Sequence, residues 1–154
     1  MTEKYINPHN DPRIYWASEV TFGYGTGEQI RVDYMLFKPI NNSVSGIEKG
    51  DFYVYEIKSS VDDFRSPNGH NMIGDYNYYV MPHEVYEEVK YEIPYWVGVL
   101  VPDSYKFERN QDGQAKWSYL RSEKRARRQN RTRPLAEMLL MMFRSCARDR
   151  KREE

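Results

Sequence analysis

Asp33, Glu56 and Lys58 are the residues of this sequence whose types and spacing could do chemistry together, the last two separated only by Ile57. In a β-strand, side chains two apart project to one face, so Glu56 and Lys58 would share a face. A neighbouring strand in suitable register would set Asp33 beside Glu56. Two carboxylates then converge next to one ammonium. Two carboxylate oxygens, a backbone carbonyl such as that of Ile57, and waters suit Mg²⁺ (or Mn²⁺), a hard ion that binds few protein ligands and keeps several waters. A metal held there can activate an attacking water and neutralise charge on a phosphoryl oxygen, while Lys58 positions the water or the phosphate. That is the chemistry of phosphodiester hydrolysis. The competing reading is a solvated cross-strand ion pair, which the same spacing permits. The apolar neighbours favour chemistry, because unpaired charge in a covered strand is costly and usually functional.

The elements that must position these residues are legible in the pattern. Gln29 to Phe37 alternates β-formers with polar residues after a glycine-punctuated turn at Gly23, Gly25 and Gly27, which predicts a strand carrying Asp33. Asp51 to Lys58 predicts a second strand, and Pro39 to Gly50 a loop that folds the two into a hairpin. The element before them, Ile14 to Thr21, is of undecided type. Ser60 and Asp63 resemble a helix cap, so Val61 to Arg65 reads as a short helix before a loop at Pro67, Asn68 and Gly69. Asp75 to Met81 predicts a third strand. A helix then runs from Pro82 through Val85, Tyr86, Val89 and Ile93 to Pro94, followed by an almost wholly apolar strand, Trp96 to Val101. Such a strand has both faces covered, and the strand, helix, strand order favours parallel pairing.

Composition sets the frame. The 154 residues, 40% hydrophobic, suffice for one core. No stretch approaches the roughly 20 apolar residues of a membrane span, and the single cysteine, Cys146, fits a reducing compartment, so the expectation is a soluble intracellular (cytoplasmic) protein. Cys146 itself reads as a small core residue on a helix. The net charge of zero hides an asymmetry: residues 1 to 120 hold 11 Lys and Arg against 18 Asp and Glu, residues 121 to 154 hold 12 against 5. The chain therefore divides into an acidic body, 1–120, and a basic, helical C-terminal extension, 121–154, packed on the same domain or at a dimer interface.

The ordered motifs resemble the PD-(D/E)xK nuclease superfamily: Arg31-Val32-Asp33 on one strand and Tyr55-Glu56-Ile57-Lys58-Ser59-Ser60 on the next. Within it, the chain is most similar to small MmcB-like and phage-borne proteins. There E-I-K is followed by a D-F pair, here Asp62-Asp63-Phe64, and by a tyrosine-rich strand ending in proline, here Gly74 to Pro82. The likeness runs from Trp16 to Val101. Val32 replaces the usual proline. The resemblance implies an α/β fold of the restriction-endonuclease-like type: an αβββαβ core with a mixed central sheet flanked by helices. It also implies a Mg²⁺- or Mn²⁺-dependent deoxyribonuclease, with endonuclease action and a place in phage DNA processing, repair or defence as expectations. Glu19 resembles the additional acidic residue that many members place upstream, able to hold a metal water or second metal. It reads equally as an exposed glutamate at an element end.

Other candidates have blander readings: Asp63 as a capping carboxylate, Asp75 as ambiguous, His70 as a surface loop histidine. Of Tyr76, Tyr78 and Tyr79, at least one should pack in the core. Lys124, Arg125, Arg127, Arg128, Arg131 and Arg133 form a basic run suited to phosphate contacts, which reads as a DNA clamp beside the active site or as a solvated linker. After Pro134, Leu135, Met138, Leu139, Met142, Phe143 and Cys146 form one apolar helical stripe that could also pair two copies. The alternative to an enzyme is a non-catalytic nucleic-acid-binding or inhibitory module that keeps the nuclease-like fold.

Overall fold

A computed structural model describes residues 11–102, 107–109, 115–117 and 120–154. The glycine-rich turn joins β1 (Tyr15–Phe22) to β2 (Ile30–Lys38) as an antiparallel pair, so the undecided first element is a strand. Strand β3 (Asp51–Ile57) pairs antiparallel with β2 as the hairpin reading requires, with Tyr34 opposite Tyr55 and Phe37 opposite Phe52. The intervening segment is not merely a loop. It holds α1 (Val44–Glu48), whose Ser43 hydroxyl accepts from Gly46 N at 3.0 Å.

Helix α2 (Val61–Arg65) starts at Ser60, whose hydroxyl accepts from Asp63 N at 3.0 Å, while Asp63 Oδ2 accepts from Ser59 N at 2.9 Å. Asp63 is thus the capping carboxylate of the sequence reading. Strand β4 (Tyr76–Val80) follows, then α3 (His83–Val89), shorter than the predicted helix, and β5 (Gly98–Pro102). β4 and β5 are parallel, as the strand, helix, strand order implied, and β3 is also parallel to β4. Strands β6 (Phe107–Arg109) and β7 (Ala115–Trp117) form a separate hairpin. Strand β8 (Leu120–Lys124) returns antiparallel to β5, completing a mixed six-stranded sheet of order β1-β2-β3-β4-β5-β8. The boundary expected at 120 therefore falls inside the sheet: β8 belongs to it.

Helix α4 (Leu135–Glu153) lies against β1. Its Met138 and Met142 enter the core beside Ala17, Val20, Phe22, Val32, Met35, Phe37, Phe52 and Val54. The extension thus packs on the same domain. Among the described residues no helix precedes β1, and α4 covers that strand instead. Cys146 is exposed rather than in the core, its thiol 3.6 Å from Trp16 O, and Phe143 is 65% exposed. A second cluster, Phe64, Tyr79, Met81, Val85, Val89 and Val99, packs α2 and α3 on β4 and β5. No helix among the described residues is long and apolar enough to cross a membrane.

Candidate active site

Strand alternation puts Phe52, Val54, Glu56 and Lys58 on one face of β3. The first two reach the core under α4. Glu56 is 0% exposed and Lys58 2%. Both are carried inward by the same periodicity that buries Phe52 and Val54. The β2–β3 ladder ends at Tyr34 and Tyr55. At the next step, where Asp33 and Glu56 stand side by side, the Asp33 side chain replaces the backbone partner: Oδ2 accepts from Ile57 N at 2.8 Å. The strands part there, and the two carboxylates meet at the opening.

Burial, and then the neighbouring Asp33 charge, push the Glu56 carboxyl up from 4.5 to about 7. Its Oε1 accepts from Asn71 N at 3.1 Å. Its buried Oε2 has no hydrogen-bond partner among the described residues. An orphaned carboxylate oxygen beside a second carboxylate is the arrangement a hard cation relieves. Among the described residues no group of three or more His, Cys, Asp or Glu side chains forms a metal cluster. Two carboxylates are nevertheless a sufficient protein donor set for Mg²⁺, which takes its remaining ligands from water, carbonyls and substrate phosphate. The residues present fit such an ion: Asp33 and Glu56 by their carboxylates, with the Ile57 carbonyl next along the strand.

The loop after α2 holds the other components. Lys58 Nζ donates to Asn68 O at 2.8 Å and lies 3.5 Å from Asp63 O. Gly69 makes the approach possible, since its φ is +74° and a Cβ there would stand 2.6 Å from Lys58 Nζ. Asn71 reaches both strands, its N–H on Glu56 and its Nδ2 donating to Arg31 O at 3.0 Å. His70 pins the loop, with Nε2 at 2.8 Å from Ser66 O and Nδ1 at 2.6 Å from the hydroxyl of Tyr79. Burial first, then the Glu56 charge, raise that hydroxyl to about 12. His70 is therefore a half-buried structural residue and not the surface histidine expected. Asp33, Ile57, Lys58, Arg31, Asn68, Gly69 and Asn71 line an open cleft of about 620 Å³.

Two groups of expected site residues do not join this cleft. Glu19 stands at a break in β1, with φ 49°. Its side chain turns to Arg31 and Arg148 at 3.8 Å and Arg152 at 3.9 Å. The basic run is a strap across the opposite end of the sheet. Arg128 pairs with Asp51 at 2.7 Å, and Arg131 lies 3.7 Å from buried Asp75 and packs over the Phe52 ring. Lys124 Nζ donates to Pro94 O at 2.8 Å, and Arg127 sits over Tyr95. Asp51 begins β3 and Lys58 follows its end, seven residues on, a separation of roughly 23 Å at about 3.3 Å per residue. Arg128 and Arg131 are thus tethers at the far end of the sheet, and the clamp expected beside the site is not formed by them. Arg125 is exposed on the same segment, and Arg133 pairs with Glu137 at 3.0 Å.

The loop contributions had no sequence signal beyond the turn residues Pro67, Asn68 and Gly69, because what acts is main-chain N–H and C=O. No protein-family model matches the chain, and no curated protein does. A solved structure is similar: the SPO1766 protein of Silicibacter pomeroyi, itself of unknown function. It is 21% identical with a TM-score of 0.59, the match covering 96% of this chain and 81% of that one. At that identity the likeness speaks of fold alone, an α/β architecture built on a mixed sheet, and the chemistry must be read from this chain's own side chains.

Proposed function

We propose that this chain is a divalent-metal-dependent DNA phosphodiester hydrolase, an endonuclease using Asp33, Glu56 and Lys58. The observation that carries the reading is the meeting of Asp33 and buried Glu56 where β2 and β3 part, with Glu56 Oε2 unpartnered and Lys58 on the same face. Such a site costs stability unless a cation and a substrate complete it. Mg²⁺ or Mn²⁺ bound there would supply a water of lowered pKa and a counter-charge for the phosphoryl oxygens. The chain's own residues do the rest. Asp33 and Glu56 hold the ion between strands that the sheet keeps rigid. Lys58, braced by Asn68 O, directs its remaining N–H capacity at the cleft to orient a phosphate oxygen. The resemblance to PD-(D/E)xK nucleases supports the same assignment.

Purified protein incubated with linear duplex, circular duplex and single-stranded DNA in Mg²⁺, Mn²⁺ or EDTA tests it. Asp33→Asn, Glu56→Gln and Lys58→Ala should each lower cleavage by about 10²-fold or more, and EDTA should abolish it. Cutting of the circular substrate identifies endonuclease action. Metal-independent, salt-sensitive binding that survives all three substitutions, with no cleavage, would assign the chain to the binding-module reading instead.

A further inference from the structure

The strap accounts for much of the basic run, but the C-terminal half of α4 carries a second set of cations on the side of the cleft. Arg144, Arg148, Lys151 and Arg152 follow one another at helical spacing and fall within an arc of about 100°. Asp149 and Glu153 project outside that arc, and Asp149 is occupied by Arg148 at 2.9 Å and by Ser18 at 3.4 Å. Arg148 anchors the set to β1 by donating to Glu19 O at 3.0 Å and Ser18 O at 3.2 Å. Arg144, Lys151 and Arg152 remain exposed. Two surface hollows share Arg144 and Arg148 as lining here, one lined also by Glu19, Thr21 and Tyr24, the other by Phe143, Lys151 and Arg152. Glu19 links them to the cleft, because it pairs with Arg31, which lines the cleft wall beside Asp33. Two carboxylates, Glu19 and Asp149, among Arg31, Arg148 and Arg152 leave this path positive, and exposed Arg144 and Lys151 add to it.

The geometry points to α4 as the DNA-backbone track of this protein: phosphates of the strand entering the cleft lie along Arg31, Arg152, Lys151 and Arg144. This rests on the function proposed above and supplies what that reading lacked, a positive surface on the same side as the carboxylates. A polyanion approaching Asp33 and Glu56 meets repulsion unless cations flank its path, and the strap arginines, roughly 20 Å away, are beyond a Debye length. Of the exposed cations of α4, Arg152 is joined to the cleft wall through Glu19 and Arg31.

The test uses full-length Glu56→Gln protein in EDTA, so that DNA is not cut, and a fluorescent duplex oligonucleotide titrated at several salt concentrations. The triple variant Arg144→Gln, Lys151→Gln, Arg152→Gln is compared with Arg125→Gln, Arg127→Gln on the strap. Each lost phosphate contact removes about 0.9 from the slope of log K against log salt. The α4 triple should therefore lose two to three in slope, as an order-of-magnitude count, and about tenfold or more in affinity, while the strap pair changes little. All three residues are exposed, and unchanged thermal melting certifies folding; if the triple does not fold, Lys151→Gln and Arg144→Gln alone should each lower the slope by about one. Binding that is unchanged by the α4 substitutions, equally sensitive to the strap pair, or displaced as well by polyglutamate as by DNA overturns the track while leaving the catalytic reading standing. Cleavage lost on Asp33→Asn with the α4 effect on the salt slope retained supports the track as a contribution separate from catalysis. Absence of DNA binding by the parent protein in low salt overturns both.

Discussion

Glu56 shows what a buried carboxylate costs a fold. Its carboxyl sits at about 7 in the folded chain against 4.5 when free. Below pH 4.5 it is protonated folded or unfolded and makes no difference to stability. As pH rises through the interval, the unfolded chain has shed the proton that the native state still holds, so the native state loses ground. Above 7 the full penalty is present, about 3 kcal/mol. Glu56→Gln should accordingly raise the melting temperature at pH 8 and leave it nearly unchanged at pH 4, as calorimetry at the two pH values would read. Mg²⁺ should stabilise the parent protein at pH 8 by about 2 to 3 kcal/mol at a hundredfold excess over its Kd. The Glu56→Gln protein should respond much less. Equal responses would mean the ion binds elsewhere.

The loop between α2 and β4 is the element that joins the two strands' chemistry into one site. It contributes main-chain groups to both Lys58 and Glu56, and His70 locks it to Tyr79. Gly69 is its most demanding position. Alanine there takes on a left-handed φ at a cost of about 1 kcal/mol, and its Cβ would press on Lys58 Nζ. The ammonium end of a lysine moves easily, so the displacement falls on activity more than on stability. Gly69→Ala should lower kcat by about tenfold to a hundredfold with only a few degrees lost in melting. A melting loss without a kcat loss would show that Lys58 is not held by this contact during turnover.

Over the whole molecule, the segment from Leu120 onward is the fastening of the fold. Strand β8 extends the sheet, the strap ties the starts of β3 and β4, and α4 closes the core over β1. Arg131 is central to the strap: besides Asp75 and Phe52 it donates to Gly50 O at 3.3 Å and Glu48 O at 3.2 Å. Arg131→Met removes the cation 3.7 Å from buried Asp75 and should cost about 2 to 3 kcal/mol of stability, measured by denaturant unfolding, while the salt slope of DNA binding stays unchanged. Met138→Ala, fully buried under α4, should cost about 2 to 5 kcal/mol. Both outcomes separate residues that hold the fold from residues that meet the ligand.

The strands β2 to β5, the β2–β3 hairpin, the parallel β4 and β5, and the shared face of Glu56 and Lys58 were legible in the pattern of short segments, because period-two alternation and turn residues are properties of a few consecutive positions. So was the α2 cap, since Ser60 and Asp63 act over one helical turn. β1 as a strand, the parallel pairing of β3 with β4 and the return of β8 to the sheet were not legible there. Two adjacent strands allowed Asp33 and Glu56 to be close, and the register that sets them side by side came from the fold. The destination of Glu19, the contacts of the basic run and the exposure of Cys146 were decided only by tertiary structure. Charge has no period, and a run of arginines reads alike whether it faces DNA or Asp51 and Asp75. The left-handed break at Glu19 turns that carboxylate toward α4, an element more than a hundred residues away, and no local rule reaches that far. The loop carbonyls and amides that brace Lys58 and Glu56 are present in every peptide unit; only packing chose which of them would face the site.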